Sequence, residues 1–236
     1  MTMIAKRNPK SHHHGASRGE YRSTELLGFV SKLMAPEDAV FAKIRLETPR
    51  WGLPTINIGP DEGKILDFLV RACSAKKAVE VGTLAGYSAC WIARALPEGG
   101  ALHTLEYDPK HAEVARKNIR KADLDSKIAV YEGPAAQTLP TLKPLGPFDF
   151  CFIDADKINY PVYLQWAIKN VRSGGIVVGD NAYLFGKLHL KESKAGQDAP
   201  AAQAMREFLA AMADTRYFSS CAMIPTGEGM AVAVRK

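Results

Sequence analysis

Residues 76–107 read KKAVEVGTLAGYSACWIARALPEGGALHTLEY. Two apolar runs of strand length, KKAVEVG and ALHTLEY, flank GYSACWIARAL, which reads as a helix. A strand, a helix and a second strand in succession form a crossover unit with parallel strands. The same alternation continues downstream. DPKHAEVARKNIRKA is a helix with Asp108 as N-cap and Pro109 at its first position. KIAVYEG and FDFCFID are strands joined by a short helix around residues 135–142, YPVYLQWAIKNV is a helix, and GGIVVGD is a strand. The alternation predicts an α/β protein whose mostly parallel sheet is covered on both faces.

The flanks differ. At the C-terminus, AAQAMREFLAAMAD reads as a helix, followed by RYFSSCAMIP and GMAVAVRK around a TGEG turn. This predicts a terminal hairpin that makes the sheet mixed. Upstream, STELLGFVSKLM and PEDAVFAKIRLET have helical spacing, with Leu26, Leu27, Val30 and Leu33 on one side of the first. WGLPTINIGP interrupts the pattern before DEGKILDFLVRAC resumes a helix. The expected organisation is a disordered basic tail over 1–22, then one domain over 23–236 with a helical cap at about 23–50.

Composition narrows the function classes. The chain has 236 residues, 47% hydrophobic and 24% charged, and can bury one sizeable core. Its longest apolar runs are strand-sized, and no charged start leads into an apolar segment, so neither a membrane partner nor secretion is expected. Cytoplasmic placement follows as the expectation. Of the formal charge of +6, the tail carries +4, from five basic residues against Glu20. That distribution is weak support for a nucleic-acid partner. His12, His13 and His14 lie in this tail, where neighbouring side chains form no fixed metal site. Cys73, Cys90, Cys151 and Cys221 show no CxxC pairing and read as buried free thiols.

In open α/β sheets, ligands bind beyond the carboxyl ends of the strands, and the polar residues of interest lie there. VEVGTLAGYS places Gly82 and Gly86 around the turn into a helix. Glycines there admit a ligand close to the backbone, although they serve a tight turn equally well. The spacing is GxxxG and lacks the GxGxxG that approaches a pyrophosphate. Glu106 ends the next strand, 24 residues after Gly82, where a carboxylate can accept both hydroxyls of a ribose or simply meet solvent. Glu80, inside the first strand, requires a cationic or hydrogen-bonding partner. A ribose, no phosphate and an ammonium group together describe S-adenosylmethionine better than NAD.

FIDADKINY, residues 152–160, places two aspartates, a lysine and an asparagine at the end of an apolar strand. Asp154 ends that strand, and 26 residues later Asp180 ends GGIVVG and is followed by Asn181. One intervening helix makes the two strands neighbours, about 4.8 Å apart. Adjacent carboxylates repel unless a cation separates them or they share a proton. Three oxygen donors without Cys or His suit a hard ion, most simply Mg²⁺, or another divalent cation such as Ca²⁺ or Mn²⁺. The alternative is structural: Asp156 or Asn159 caps the next helix and Asp180 pairs with a base. Lys157 either serves as a base in the same pocket or balances Asp154 and Asp156.

From about residue 54 onward the chain resembles the cation-dependent O-methyltransferases, which include plant caffeoyl-CoA and animal catechol O-methyltransferases. PDEGKIL, VEVGTLAGYSA, YEGPAAQTLP, FIDADKINY, GGIVVGDN and IPTGEGMAV carry the likeness, and DADK with DN is its specific part. The resemblance implies a Rossmann-like methyltransferase sheet of seven strands, mostly parallel, with an antiparallel strand at the C-terminus. It implies Asp154, Asp180 and Asn181 as metal ligands and Lys157 as the base. It further implies Ile58, Glu80, Gly82, Thr83, Ser88, Glu106, Ala135 and Asp156 around S-adenosyl-L-methionine, with Glu106 at the ribose and Ala135 at the adenine. Where the plant enzymes read DNTLWNG, this chain has DNAYLFG. Leu184 thus replaces the tryptophan that packs on an aromatic substrate, Phe185 the following asparagine, and a caffeoyl-CoA acceptor is disfavoured. Tyr183 and Phe185 are expected to leave an aromatic wall, closed over by the helices of residues 23–48.

The reading favoured is a Mg²⁺-dependent O-methyltransferase acting on a small vicinal dihydroxy aromatic such as a catechol, with a homodimer expected from the relatives. Two alternatives stand beside it: methylation of a hydroxylated tRNA base, and a non-catalytic protein that binds S-adenosylmethionine.

Overall fold

A computed structural model describes residues 23–190 and 196–236. The chain divides into two compact units, one ending at Pro36 and one running from Glu37 to Lys236. The expected basic tail of residues 1–22, with its three histidines, lies outside the described residues. In the first unit, helix α1 (Thr24–Met34) starts at Ser23, whose hydroxyl accepts the Leu26 N–H at 3.2 Å. Its apolar side chains Leu26, Leu27, Val30 and Leu33 are exposed.

The second unit is built on seven strands: β1 (Lys77–Val81), β2 (Ala101–Glu106), β3 (Ile128–Glu132), β4 (Phe148–Ile153), β5 (Val171–Gly179), β6 (Phe218–Ile224) and β7 (Met230–Arg235). Their order is β3-β2-β1-β4-β5-β7-β6. The first five are parallel, and β7 runs antiparallel to both β5 and β6. The expected hairpin therefore joins the sheet through its second strand. Burial explains the order: MAVA of β7 is buried, whereas residues 219–223 of β6 are exposed, so the more apolar strand takes the inner place.

Helices cover both faces. Alternate side chains of β4 divide between two cores, because successive strand residues point to opposite faces. Phe150 and Phe152 pack with α2 (Ala39–Glu47), α3 (Pro60–Ala72), α4 (Tyr87–Ala95) and α5 (Pro109–Lys121). Cys151 and Ile153 pack with α7 (Tyr160–Asn170) and α8 (Ala199–Met212). As expected, Asp108 caps α5, accepting the N–H of Lys110 at 2.8 Å and of His111 at 3.3 Å. The helix expected at 135–142 is one α turn, α6 (Ala135–Thr138), running into a 3-10 segment at Leu139–Leu145. Pro140 and Pro144 supply no N–H and do not continue an α-helix there.

The thiols depart from expectation at one end of the sheet. Cys90 and Cys151 are buried and Cys73 is half-buried, but Cys221 is exposed. It lies on the edge strand β6, whose residues 219–223 are exposed.

Gly82 has a packing role that the GxxxG spacing did not reveal. Its φ is 100°, and a Cβ there would stand 1.9 Å from the Asp154 carbonyl oxygen. The ends of β1 and β4 meet at this point with no room for a side chain. Gly82→Ala is expected to cost at least about 3 kcal/mol in urea denaturation, from backbone strain and collision together. The exposed Gly99, at φ 71° with nothing within 4 Å of its added Cβ, should cost only about 1–2 kcal/mol on the same substitution.

Candidate active site

Strand order reverses between β1 and β4, and the loops leaving their carboxyl ends diverge to opposite faces. A cavity of about 930 Å³ opens there. Of the residues expected around the cofactor, Ile58, Gly82, Thr83, Ser88, Glu106, Ala135 and Asp156 line it, as do Asp154, Lys157, Asp180 and Asn181. Glu80 does not line it and is fully buried.

Two acids organise the half of the site on β1 and β2. Glu106 at the end of β2 reaches across to the loop after β1. Its Oε2 accepts the N–H of Thr83 at 3.2 Å and of Leu84 at 2.7 Å, and its Oε1 accepts that of Asp108 at 3.0 Å. The carboxylate thus fixes the glycine loop as well as facing the cavity. Glu80 accepts a 2.6 Å bond from the Thr104 hydroxyl through Oε2, and Oε1 has no partner among the described residues. Burial pushes its carboxyl up to about 8; the hydroxyls of Ser88 and Thr104 oppose the shift, and the charges of Asp154 and Glu106 add to it.

The other half sits on β4 and β5. Ile153 is paired with Gly179, and the ladder runs one step further: Asp154 N–H donates to Val81 O at 2.8 Å and Asp180 N–H to Ile153 O at 3.0 Å. The two aspartates are therefore held at the ends of adjacent strands, as their spacing predicted. Asp180 is buried, and its Oδ1 has no hydrogen-bond partner among the described residues. Its carboxyl is held well above the ordinary range by burial, then by the charges of Asp154 and Glu62. Asn181 follows with φ 49°, a left-handed conformation that asparagine tolerates.

Helix capping does not account for these residues. Asp156 and Asn159 make no side-chain cap. Asp156 instead accepts the Tyr163 hydroxyl and the Asn159 amide, each at 2.5 Å. Lys157 Nζ lies 3.1 Å from Asp154 Oδ1 and 2.7 Å from the Tyr160 hydroxyl. It pairs with Asp154 and makes no bond to Asp156 or Asp180.

Around the mouth, Phe185 lines the cavity, while Leu184 is buried in a small cluster with Ala202. Tyr183 does not line the cavity; its ring packs against Gly229. The aromatic wall is thus one ring and not two. No residue of α2 lines the cavity, and Thr55–Ile58 do so instead. The segment just before α3, with Glu62 of α3, supplies that side. Tyr87, His111, Tyr160 and Glu228 also belong to the site or its support and were not singled out in the sequence. Tyr160 alone had a local signal, three residues beyond Lys157 on the same turn.

The sequence pattern of the O-methyltransferase family matches residues 31–236. The chain belongs to the O-methyltransferase family. It is 42% identical over 214 residues to a catechol O-methyltransferase of Niastella koreensis, covering 88% of this chain and 95% of that one. To a caffeoyl-CoA O-methyltransferase of Zea mays it is 34% identical over 197 residues, covering 78% and 71%. The O-methyltransferase from Bacillus cereus in complex with SAH superposes with a TM-score of 0.81 at 34% identity, covering 89% of this chain and 96% of that one. This O-methyltransferase is accordingly an S-adenosylmethionine-dependent enzyme, on a Rossmann-like methyltransferase fold. Among its described residues no helix is long and apolar enough to cross a membrane.

Glu80 makes the stability of this O-methyltransferase pH-dependent. Its carboxyl titrates near 8 in the fold and about 4.3 when unfolded, so the folded chain holds the extra proton between these values. Stability therefore falls as pH rises from 5 to 8. Urea denaturation at both pH values should show the parent losing stability on the order of a few kcal/mol, and Glu80→Gln losing distinctly less. An equal loss in both proteins would assign the dependence to other groups.

Proposed function

We propose that this O-methyltransferase methylates one hydroxyl of a small vicinal dihydroxy aromatic, a catechol, with a divalent cation held by Asp154, Asp180 and Asn181. The observation that carries the reading is the Oδ1 of buried Asp180, without a partner among the described residues, beside Asp154, with Asp154 the carboxylate that Lys157 pairs with. Two carboxylates and an amide are hard oxygen donors, and the buried pair is relieved by positive charge between them. Among the described residues no group of three or more His, Cys, Asp and Glu side chains forms a metal site, and the set here needs only two acids because Asn181 is its third donor. A divalent cation bound there, most simply Mg²⁺ and alternatively Ca²⁺ or Mn²⁺, would stabilise the ionised form of the acceptor hydroxyl.

The chain's own residues supply the rest. S-adenosyl-L-methionine brings the methyl group as a sulfonium. Glu106 holds the ribose, Gly82, Thr83 and Ser88 shape the loop side, Ile58 and Ala135 flank the adenine, and Asp156 adds a polar group, with Glu80 buried behind the cavity wall. Lys157 lines the acceptor side of the cavity and takes the acceptor's proton. Phe185 gives an apolar ring for an aromatic acceptor. Burial of Leu184 removes the second aromatic surface found in the plant enzymes and favours a smaller acceptor. The names of the relatives support the class. A homodimer fits the apolar side chains that α1 exposes, and light scattering tests it; a cytoplasmic setting completes the proposal.

EDTA should abolish turnover of a catechol and Mg²⁺ restore it, while calorimetry finds cofactor affinity largely unchanged. Asp180→Ala should lower turnover by several orders of magnitude. Full activity in EDTA, with Asp180→Ala equal to the parent, would remove the metal site. Turnover of hydroxylated tRNA and none of catechols would replace the acceptor.

Glu106→Ala should weaken cofactor binding by about 1.5–3 kcal/mol per lost charge-assisted hydrogen bond at most. The same substitution frees the amides of Thr83 and Leu84, so stability should fall as well. An unchanged cofactor affinity in calorimetry takes Glu106 out of the binding site.

A further inference from the structure

We infer that Tyr160 is a positioning residue that fixes the direction from which Lys157 accepts the acceptor's proton. The inference rests on Lys157 being the base. Tyr160 opens α7 and is fully buried, its ring packed edge-on against Phe208 at 5.1 Å between centroids. Its hydroxyl stands 3.0 Å from Ile153 O and 3.1 Å from Asp180 O, the carbonyls at the ends of β4 and β5.

A phenol has one proton, and both carbonyls can only accept. The proton is therefore committed to the strand ends, and the hydroxyl's lone pair is what remains for Lys157 Nζ at 2.7 Å. The tyrosine accepts from the lysine and cannot donate to it. Nζ also donates to Asp154 Oδ1 at 3.1 Å. A tetrahedral nitrogen on its carbon stem has three further directions, and these two bonds occupy two of them. The third is left for the cavity that Lys157 lines.

That third direction is where a proton is received. The acceptor's O–H proton passes to the Nζ electron pair, and the oxygen's freed pair forms the new bond to the methyl carbon. The S–C pair stays on sulfur, leaving a methyl ether, S-adenosylhomocysteine and a protonated lysine. Without the Tyr160 hydroxyl, Nζ keeps one anchor and its remaining directions rotate among staggered positions. A smaller fraction of the molecules then presents the pair to the acceptor.

The test is a double-mutant cycle on turnover, with melting temperature and cofactor affinity measured alongside. Tyr160→Phe should lower kcat about 10- to 100-fold, no more than the low end of the ~10²–10⁴ that a general base supplies, with KM for the acceptor and cofactor affinity within about twofold. In the Lys157→Met background the same substitution should cost nothing further, because the group it orients is gone. An equal loss in both backgrounds would make Tyr160 a structural support and overturn the inference, as would an unchanged kcat. Lys157→Met with full activity would instead remove the base, a separate failure visible without touching Tyr160. If Tyr160→Phe does not melt cooperatively, 3-fluorotyrosine at residue 160 keeps the ring and its carbonyl bonds while weakening the lone pair. A lower kcat in the parent background alone sustains the inference, and no change refutes it.

Discussion

Backbone hydrogen bonding at the ends of three adjacent strands sets the geometry of this enzyme. Asp154 N–H closes on Val81 O and Asp180 N–H on Ile153 O, so the ladder extends one residue beyond each strand. Both carboxylates then stand at the rim of the sheet, on residues whose backbones are locked. Gly82 is the third member, since the Asp154 carbonyl occupies the space where its side chain would be. Rigid elements place reacting groups more closely than loops do, and here the side chains begin where the ladder stops.

This placement has an electrostatic cost. Glu80 and Asp180 are both buried with an oxygen that has no partner among the described residues, and the carboxyl of each is raised by burial first and by the charge of Asp154 in addition. Lys157 answers only Asp154. Buried groups of like charge destabilise a fold unless a partner of opposite charge joins them. Under the proposed function, the sulfonium and ammonium groups of the cofactor and a divalent ion at Asp154, Asp180 and Asn181 would supply such partners.

Much of this was legible in the sequence because it depends on spacing. The alternation from residue 76 gave the parallel sheet, and one helix between Asp154 and Asp180 made their strands neighbours. Asp108 and Pro109 marked a helix start by a local rule. Features that depend on packing at a distance were not legible. Nothing local distinguishes Leu184, which turns into a core, from Phe185, which turns to the cavity. Cys221 sits in a run as apolar as those around Cys90 and Cys151, yet sheet order leaves it on an open edge. Glu106 was found as a ligand-facing acid, while its grip on the Thr83 and Leu84 amides follows from the crossover between β1 and β2. Tyr160 sits beside the most telling motif, but the two carbonyls that engage its hydroxyl come from strand ends seven residues before it and 20 residues after it.

The two halves of the site are separable in chain and in chemistry. Glu80, Gly82, Thr83 and Glu106 belong to β1, β2 and the loop between them, whereas Asp154, Lys157, Asp180 and Asn181 belong to β4, β5 and their following turns. The β1–β4 ladder joins them directly, ending in the Asp154 N–H bond to Val81 O and the close approach of Gly82 to the Asp154 carbonyl. Under the proposed function, a substitution at Asp180 or Asn181 would alter the acceptor's activation without removing a residue assigned to the cofactor. The loop of residues 181–186 brings Asn181 and Phe185 to that half. It is tied to the β6–β7 turn by backbone bonds from Ala182 to Gly229 and from Tyr183 to Glu228, and Leu184 and Phe185 both hold positive φ. Two non-glycine residues in that conformation persist only where surrounding bonds over-determine them. The same bonds hold the backbone from which Phe185 reaches the cavity, so under the proposed function acceptor choice would rest on a backbone conformation as well as on a side chain.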